Sequence, residues 1–412
     1  MSLMTKLKLL QINVAANWGS HGRIAEEIGL EAMAQGWESY IAYGRYANPS
    51  KSHIVKIGDL FDHCLHGAQS LLLDRHGLAS CGPTKKLIRE IEQIKPDLIH
   101  LHNIHGFYLN YPILFRYLST VDIPVVWTLH DCWAFTGHCA WPIHGHCDRF
   151  QEQCCHCPLQ SKGYPKSFLL DRSRSNFKLK KRYFRSLQDL HLVTVSRWLE
   201  QQVRLSFMQD MDIRTIYNGL DTEVFRPSGT PPTSVTDGHP LVLGVCNAWY
   251  DWKGLDDMAA LREILPDDYE VMVVGVNEDQ MHRLPEGITC IRRTDSVSQL
   301  AEIYSQADVF VNPSKVESFG MTTAEALSCG TPSIVYDTSA CPEVVDNLTG
   351  RVVPLGDVNA LAKAVTEICS LPGREAMRQA CRERAIRLFN RQDRYQEYLQ
   401  LYNEVLQNHQ SR

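Results

Sequence analysis

The sequence predicts an α/β protein built as two doubly wound parallel sheets, one in each half of the chain. Three observations carry that prediction. Short β-rich runs alternate with helical patterns twice over, once before residue 227 and again after residue 240. The runs are nearly continuous in apolar residues, as strands covered by helices on both faces must be. Between the two series lies Pro227-Ser228-Gly229-Thr230-Pro231-Pro232-Thr233-Ser234, with the composition of an exposed linker. At 412 residues the chain is too long for one ordinary core. Two domains are read: 1–228 and 238–391, with a final helix over 392–412 packing back onto the first.

The first series opens at Leu7-Lys8-Leu9-Leu10-Gln11-Ile12-Asn13-Val14, a buried-strand pattern that feeds a glycine loop at Gly19-Ser20-His21-Gly22. Ile24, Ile28 and Ala32 then recur at helical spacing, and a second strand follows near Tyr40-Ile41-Ala42. Gly82-Pro83-Thr84 opens a helix with Leu87, Ile88, Ile91 and Ile94 on one face. Further strands are read at Leu98 to Leu101, Val125 to Thr128 and Leu192 to Val195. In the second series, strands at Leu241 to Val245, Val271 to Val274, Val309 to Val311 and Ser333 to Val335 alternate with helices near Gly254 to Ile264, Val297 to Ala307 and Thr322 to Ser328. Parallel sheets of this kind bind ligands beyond the carboxyl ends of their strands, so a cleft between two facing domains is the expected site.

Composition narrows the class. Hydrophobic residues at 44% and charged residues at 22% are ordinary for a globular protein. The net charge of -5 argues against nucleic acid as a partner, because polyanion binding needs a basic surface to release condensed counterions. No run approaches the roughly 18 apolar residues that span a bilayer. The start, Met1-Ser2-Leu3-Met4, runs into a strand pattern and lacks a secretory signal, so a cytoplasmic location is expected. Fourteen cysteines in a reducing compartment suggest metal before disulfide.

The most informative stretch runs from Pro313 to Pro332, between two strands of the second series. Glu317 lies in the loop and Glu325 about two turns into the following helix, which sets two carboxylates beside one helix N-terminus. Carboxylates accept hydrogen bonds from paired hydroxyls, and backbone N–H groups at the positive helix end can hold phosphate or sugar oxygens. An exposed helix with solvated acids is the plainer alternative. With Ser318-Phe319-Gly320, Ala326-Leu327 and Gly330-Thr331-Pro332 around them, the two acids resemble the Glu-x7-Glu signature of the retaining glycosyltransferases of family four, which have the GT-B fold of two Rossmann-like domains facing across a cleft.

The resemblance extends along nearly the whole chain and implies roles. Glu325 would bind the ribose of a nucleoside-diphosphate sugar and Glu317 the transferred sugar, with backbone contacts from Phe319, Gly320, Met321 and Thr322. Lys253, after the first strand of the second series, would neutralise the diphosphate leaving group. The family's usual arginine a few residues earlier is absent from Cys246-Asn247-Ala248-Trp249-Tyr250-Asp251-Trp252, so a second cation is missing or comes from elsewhere, Arg23 across the cleft being the candidate. Gly19, Gly22 and Arg23 match the glycine loop that faces the donor phosphates and acceptor. His130, just past a strand end, matches the family histidine near the donor sugar, against the alternative of a structural histidine. His102, Asn103 and His105 fall on the acceptor side. His100 and His102 share a strand face, where packing and acceptor contacts are expected in place of a catalytic metal.

The run Asp131 to Cys139 looks closest to enzymes of bacterial exopolysaccharide assembly, including the colanic-acid type. The implied reaction moves a sugar to a hydroxyl of a glycan or lipid-linked glycan with retention, and requires no cofactor for the chemistry. A sugar-nucleotide epimerase and a catalytically silent sugar-binding protein are the alternatives. Separately, Cys139, Cys147, Cys154 and Cys157 suggest a structural zinc, since thiolates in a reduced compartment favour that ion and Cys154-x2-Cys157 has half-site spacing. The basic stretch Arg172 to Arg185 reads as a solvated helical face, with peripheral contact at the inner face of the cytoplasmic membrane as the alternative. Asp210-Met211-Asp212 precedes the hinge and is rejected as a metal site.

Overall fold

The computed structural model describes residues 6–228 and 239–411. They form two compact units, Met1–Ile216 with Arg394–Arg412, and Tyr217–Asp393. Of the linker read at Pro227 to Ser234, everything from Gly229 onward lies outside the described residues, as does the start of the chain.

In the first unit the order is β1 (Lys8–Ala16), α1 (Gly19–Ala34), β2 (Glu38–Ala47), β3 (His53–Lys56), α2 (Leu60–Leu73), α3 (Cys81–Ile94) and β4 (Leu98–Leu101). There follow α4 (Tyr111–Leu118), β5 (Val125–Leu129), α5 (Ser173–Phe184), β6 (Leu190–Thr194), α6 (Arg197–Arg204) and β7 (Asp212–Thr215). The strands make one parallel sheet in the order β3-β2-β1-β4-β5-β6-β7. β4 and β5 are buried at every position, as strands with helices on both faces should be.

The second unit runs β8 (Leu241–Val245), α7 (Leu255–Ile264), β9 (Glu270–Val274), α8 (Glu278–Met281), β10 (Ile288–Ile291), α9 (Val297–Gln306) and β11 (Val309–Asn312). It continues with α10 (Met321–Ser328), β12 (Ser333–Tyr336), α11 (Cys341–Val344), β13 (Gly350–Val353), α12 (Val358–Ser370) and α13 (Arg374–Phe389). Its parallel sheet has the order β10-β9-β8-β11-β12-β13, the doubly wound arrangement in which the chain starts in the middle and reverses direction once. The reversal falls between β8 and β11, which pair directly. In the first sheet it falls between β1 and β4.

The last helix, α14 (Arg391–Gln410), leaves the second unit and completes the core of the first. Tyr395, Tyr398, Leu399, Leu401, Tyr402 and Val405 pack with Leu9, Ile28, Leu98, Val126 and Val193. Fully burying side chains of this size contributes about 1.5–3 kcal/mol each, so the helix is a structural part of that unit. Tyr402 donates to His100 at 2.6 Å, and the hydroxyls of Tyr398 and Thr128 lie 3.2 Å apart, so its buried polar groups are satisfied.

Candidate functional site

In the second unit the strand reversal gathers the predicted residues, because the loops after β8 and β11 emerge side by side. Lys253 ends a single 3-10 turn, Asp251–Lys253, and Gly254 follows at φ 77°. A Cβ on Gly254 would lie 2.3 Å from the carbonyl oxygen of Pro313, so the two loops touch through backbone that tolerates no side chain. Across that contact the Lys253 Nζ donates to Glu317 Oε1 at 2.5 Å, with both side chains mostly buried. Burial alone would pull the Lys253 ammonium down, but Glu317 outweighs it and the pKa rises above the ordinary lysine value. The Glu317 backbone is pinned by its own N–H, which donates to Ser339 Oγ at 2.8 Å.

Three residues on, the loop turns into α10. Gly320 takes φ 104° at the N-cap, and the Asn312 amide at the end of β11 donates to Thr323 Oγ1 at 3.0 Å, tying the helix start to the strand end. The first N–H groups of a helix lack partners within it, so the backbone of Met321 and Thr322 opens a positive helix end. Phe319 is buried against Phe389 and Tyr217, which leaves only its backbone available to a ligand. Because the helix begins at Met321, Glu325 sits one turn into it, not two as the sequence suggested. The Tyr304 hydroxyl donates to Glu325 Oε2 at 3.0 Å from a fully buried ring.

The first unit places Gly19, Gly22 and Arg23 after β1, and His102, Asn103 and His105 after β4, again at the strand reversal. Gly19 adopts φ 66°, Gly22 packs against Ala15, and Arg23 is exposed at the start of the second turn of α1. Asn103 is half-buried, and its carbonyl accepts from the Tyr108 hydroxyl. His105 pairs with Asp131 at 3.0 Å. Burial raises the Asp131 pKa, but His105 and the Trp133 N–H more than offset it and the net shift is downward.

His130 follows β5, and its Nε2 lies 3.3 Å from His102 Nδ1. Burial first, then the neighbouring His102, holds its pKa well below the usual histidine value, so it is neutral. Its tautomer can be traced from the backbone. Gln11 Nε2 donates to the Ala25 carbonyl at 2.7 Å, which turns Gln11 Oε1 towards His102 Nε2 at 3.0 Å. His102 must then carry its proton on Nε2 and accept on Nδ1 from the His130 Nε2–H. His130 is left with a lone pair on Nδ1, suited to accepting a bond from a hydroxyl.

The four cysteines named for zinc line one cavity in the segment between β5 and α5. Among the described residues no group of three or more His, Cys, Asp or Glu is arranged as a ready metal-binding set. The Asp-x-Asp pair is engaged elsewhere, Asp210 with Arg185 and Asp212 with His191. Lys180 in the basic stretch is buried, its ammonium 3.5 Å above the Trp133 ring, while Arg174, Lys178, Lys181 and Arg182 are exposed. Gln11, Ser339 and Tyr304 carry no motif of their own, and sequence reasoning missed them because each acts by orienting another residue.

The chain matches the family model "Glycosyltransferase Family 4" over residues 21–224 and "Glycosyl transferases group 1" over residues 239–370. It is 26% identical over 378 residues to the putative colanic acid biosynthesis glycosyl transferase WcaC of Escherichia coli K12, across 87% of this chain and 90% of that one. It is 28% identical over 221 residues to the alpha-maltose-1-phosphate synthase of Mycobacterium tuberculosis, across 47% of this chain and 57% of that one. Among solved structures it resembles sucrose-phosphate synthase of Thermosynechococcus elongatus, with a TM-score of 0.73 at 18% identity over 98% of this chain and all of that one. HepE of Anabaena, solved with UDP and glucose, has a TM-score of 0.65 at 14% identity over 96% of this chain and 99% of that one.

Proposed function

The chain belongs to the group 1, family 4 glycosyltransferases and has their GT-B fold, and from that premise we propose that it moves a sugar from a nucleoside-diphosphate donor to a glycan or lipid-linked glycan hydroxyl with retention of anomeric configuration. The observation that carries this reading is the Lys253–Glu317 pair at the strand reversal of the second unit, beside the N-terminus of α10. An ammonium has three donors, and Glu317 takes one. Lys253 can therefore hold a diphosphate oxygen while the pair persists, stabilising the charge that develops as the leaving group departs. Glu317 then accepts from hydroxyls of the transferred sugar, and Glu325, steadied by Tyr304, accepts from the ribose. The N–H groups at 320–322 take the remaining donor oxygens. Gly19, Arg23, His102, Asn103, His105 and His130 serve the first unit's share of the reaction, with His130 Nδ1 accepting from a sugar hydroxyl.

UDP sugars are the first donors to try, since HepE was solved with UDP and glucose. The similarity to WcaC supports a place in exopolysaccharide synthesis. A thermal-shift screen of UDP, GDP, ADP and dTDP sugars identifies the donor, and NMR of the transfer product gives the anomeric configuration. Inversion at the anomeric centre would reject the retaining reaction. Isomerised donor formed without any acceptor would reject glycosyl transfer in favour of epimerisation.

A further inference from the structure

We propose that Cys139, Cys147, Cys154 and Cys157 form a structural zinc site that fastens the segment between β5 and α5. The site lies wholly in the first unit and is independent of the glycosyl-transfer reading. Residues 130–172 hold only three short 3-10 turns, Trp133–Phe135, Pro142–Gly145 and Arg149–Gln151. A segment this long without regular structure is uncommon inside a compact unit and needs another source of order. Five cysteines spread along it, the four and Cys155, nevertheless line one cavity. The space open to the centre of a water-sized sphere there is about 10 Å³, close to what a single water or small ion occupies. None of the four is in a disulfide.

The surroundings are built for negative charge. Lys180 is fully buried, donates to the Trp133 carbonyl at 2.5 Å and holds its ammonium 3.5 Å above the Trp133 ring. An ammonium taken out of water is costly unless it faces an anion, and a zinc tetrathiolate carries two negative charges. His138 also lines the cavity. Its Nδ1 is bonded to Asp74 at 2.6 Å, while its Nε2 is buried without a partner.

The loop is shaped to match. His156 takes φ 48°, and Arg149 Nη1 donates to the carbonyls of Cys155 and His156, closing the turn between Cys154 and Cys157. The Cys157 N–H is held by Asp171 at 3.0 Å. The sulfurs surround the cavity without forming a ready ligand set, so binding requires their side chains to turn inward to Zn–S distances of about 2.3 Å.

The test is elemental analysis of the full-length protein purified under reducing conditions without added metal. About one zinc per chain is expected, because tetrathiolate sites hold the ion through purification. Cys147→Ser and Cys154→Ser should lose it, while Cys155→Ser, which alters a thiol that lines the cavity but is not one of the four proposed ligands, should keep it. Should the ligand variants fail to fold, cobalt exchange on the wild-type protein gives a second readout. An intense thiolate-to-cobalt charge-transfer band is expected, with a fall in melting temperature on metal removal. Zinc well below one per chain together with no such band overturns the proposal, as does loss of zinc from Cys155→Ser alone.

Discussion

Lys253 and Glu317 form a pair in which each side chain fixes the other, so their variants should fail differently. Lys253→Ala removes the cation proposed to meet the leaving diphosphate and should lower kcat by about 10² or more. An unchanged kcat would remove that role. Glu325→Ala should act mainly on donor affinity, read by titration calorimetry with the nucleoside diphosphate, while kcat at saturation changes less. Gln11, remote from any motif, is proposed as a positioning residue through its bond to His102. Gln11→Leu leaves the His102 Nε2–H buried without an acceptor, which costs about 1–3 kcal/mol and releases the tautomer that presents the His130 lone pair. The expected result is a fall in kcat with little change in donor KM, alongside a lower melting temperature. A variant that loses stability but keeps kcat would show that the tautomer is irrelevant to turnover. The sequence displays Glu317 and Glu325 because they stand in a recognisable run, and Lys253 because it follows the first strand of the second series. It hides Gln11, Tyr304 and Ser339, whose importance exists only after strands far apart in sequence have been brought side by side.

At the scale of elements, the strands legible from the sequence include β1, β4 and β5, and β8, β9, β11 and β12. The four that the sequence reading passes over, β3, β7, β10 and β13, are the outermost strands of the two sheets. Their burial explains the difference. His53–Lys56 and Asp212–Thr215 have no buried residue, whereas Leu98–Leu101 and Val309–Asn312 are buried throughout. An outer strand has one pairing partner and less cover, so it loses the continuous apolar run that marks an inner one. The helix α2 is hidden in the sequence for the opposite reason. Its buried residues are His66 and Ser70, while Leu60, Phe61, Leu65 and Leu72 are exposed, so its apolar residues do not mark the packed face. The two glycines that shape the candidate donor site offer an element-level prediction. An alanine at Gly320 has room for its Cβ and suffers only the unfavourable φ, a cost of order 1–3 kcal/mol. Gly254→Ala adds a collision with the Pro313 carbonyl, so it should lower the melting temperature more and disturb donor binding as well. Equal effects from the two would mean that contact between the loops is unimportant.

Across the whole molecule, neutral buried histidines are concentrated in the first unit. Burial first of all lowers the pKa of His21 to about 4 and of His66 to about 3, and holds His76, His100, His102 and His130 well below the ordinary value. In the unfolded chain these groups take up protons near pH 6.5, earlier than in the folded state. The stability linked to them is therefore fully present above about pH 6.5 and is lost progressively as the pH falls towards the folded values. The first unit should thus melt at markedly lower temperature at pH 5 than at pH 7.5, as followed by calorimetry. A melting profile that stays constant over that interval would contradict the assignment of neutral buried imidazoles.

The helix α14 imposes an order of events during synthesis. When the ribosome has translated every strand of the first unit, Leu9, Leu98 and Val126 still lack the tyrosines and leucines that cover them, and His100 still lacks Tyr402. The second unit, though made later, includes none of residues 394–410 and can reach its native state before the first. A nascent chain would then carry an uncovered apolar surface at its leading end for as long as the second half takes to emerge, which is the period in which a holding chaperone would be needed.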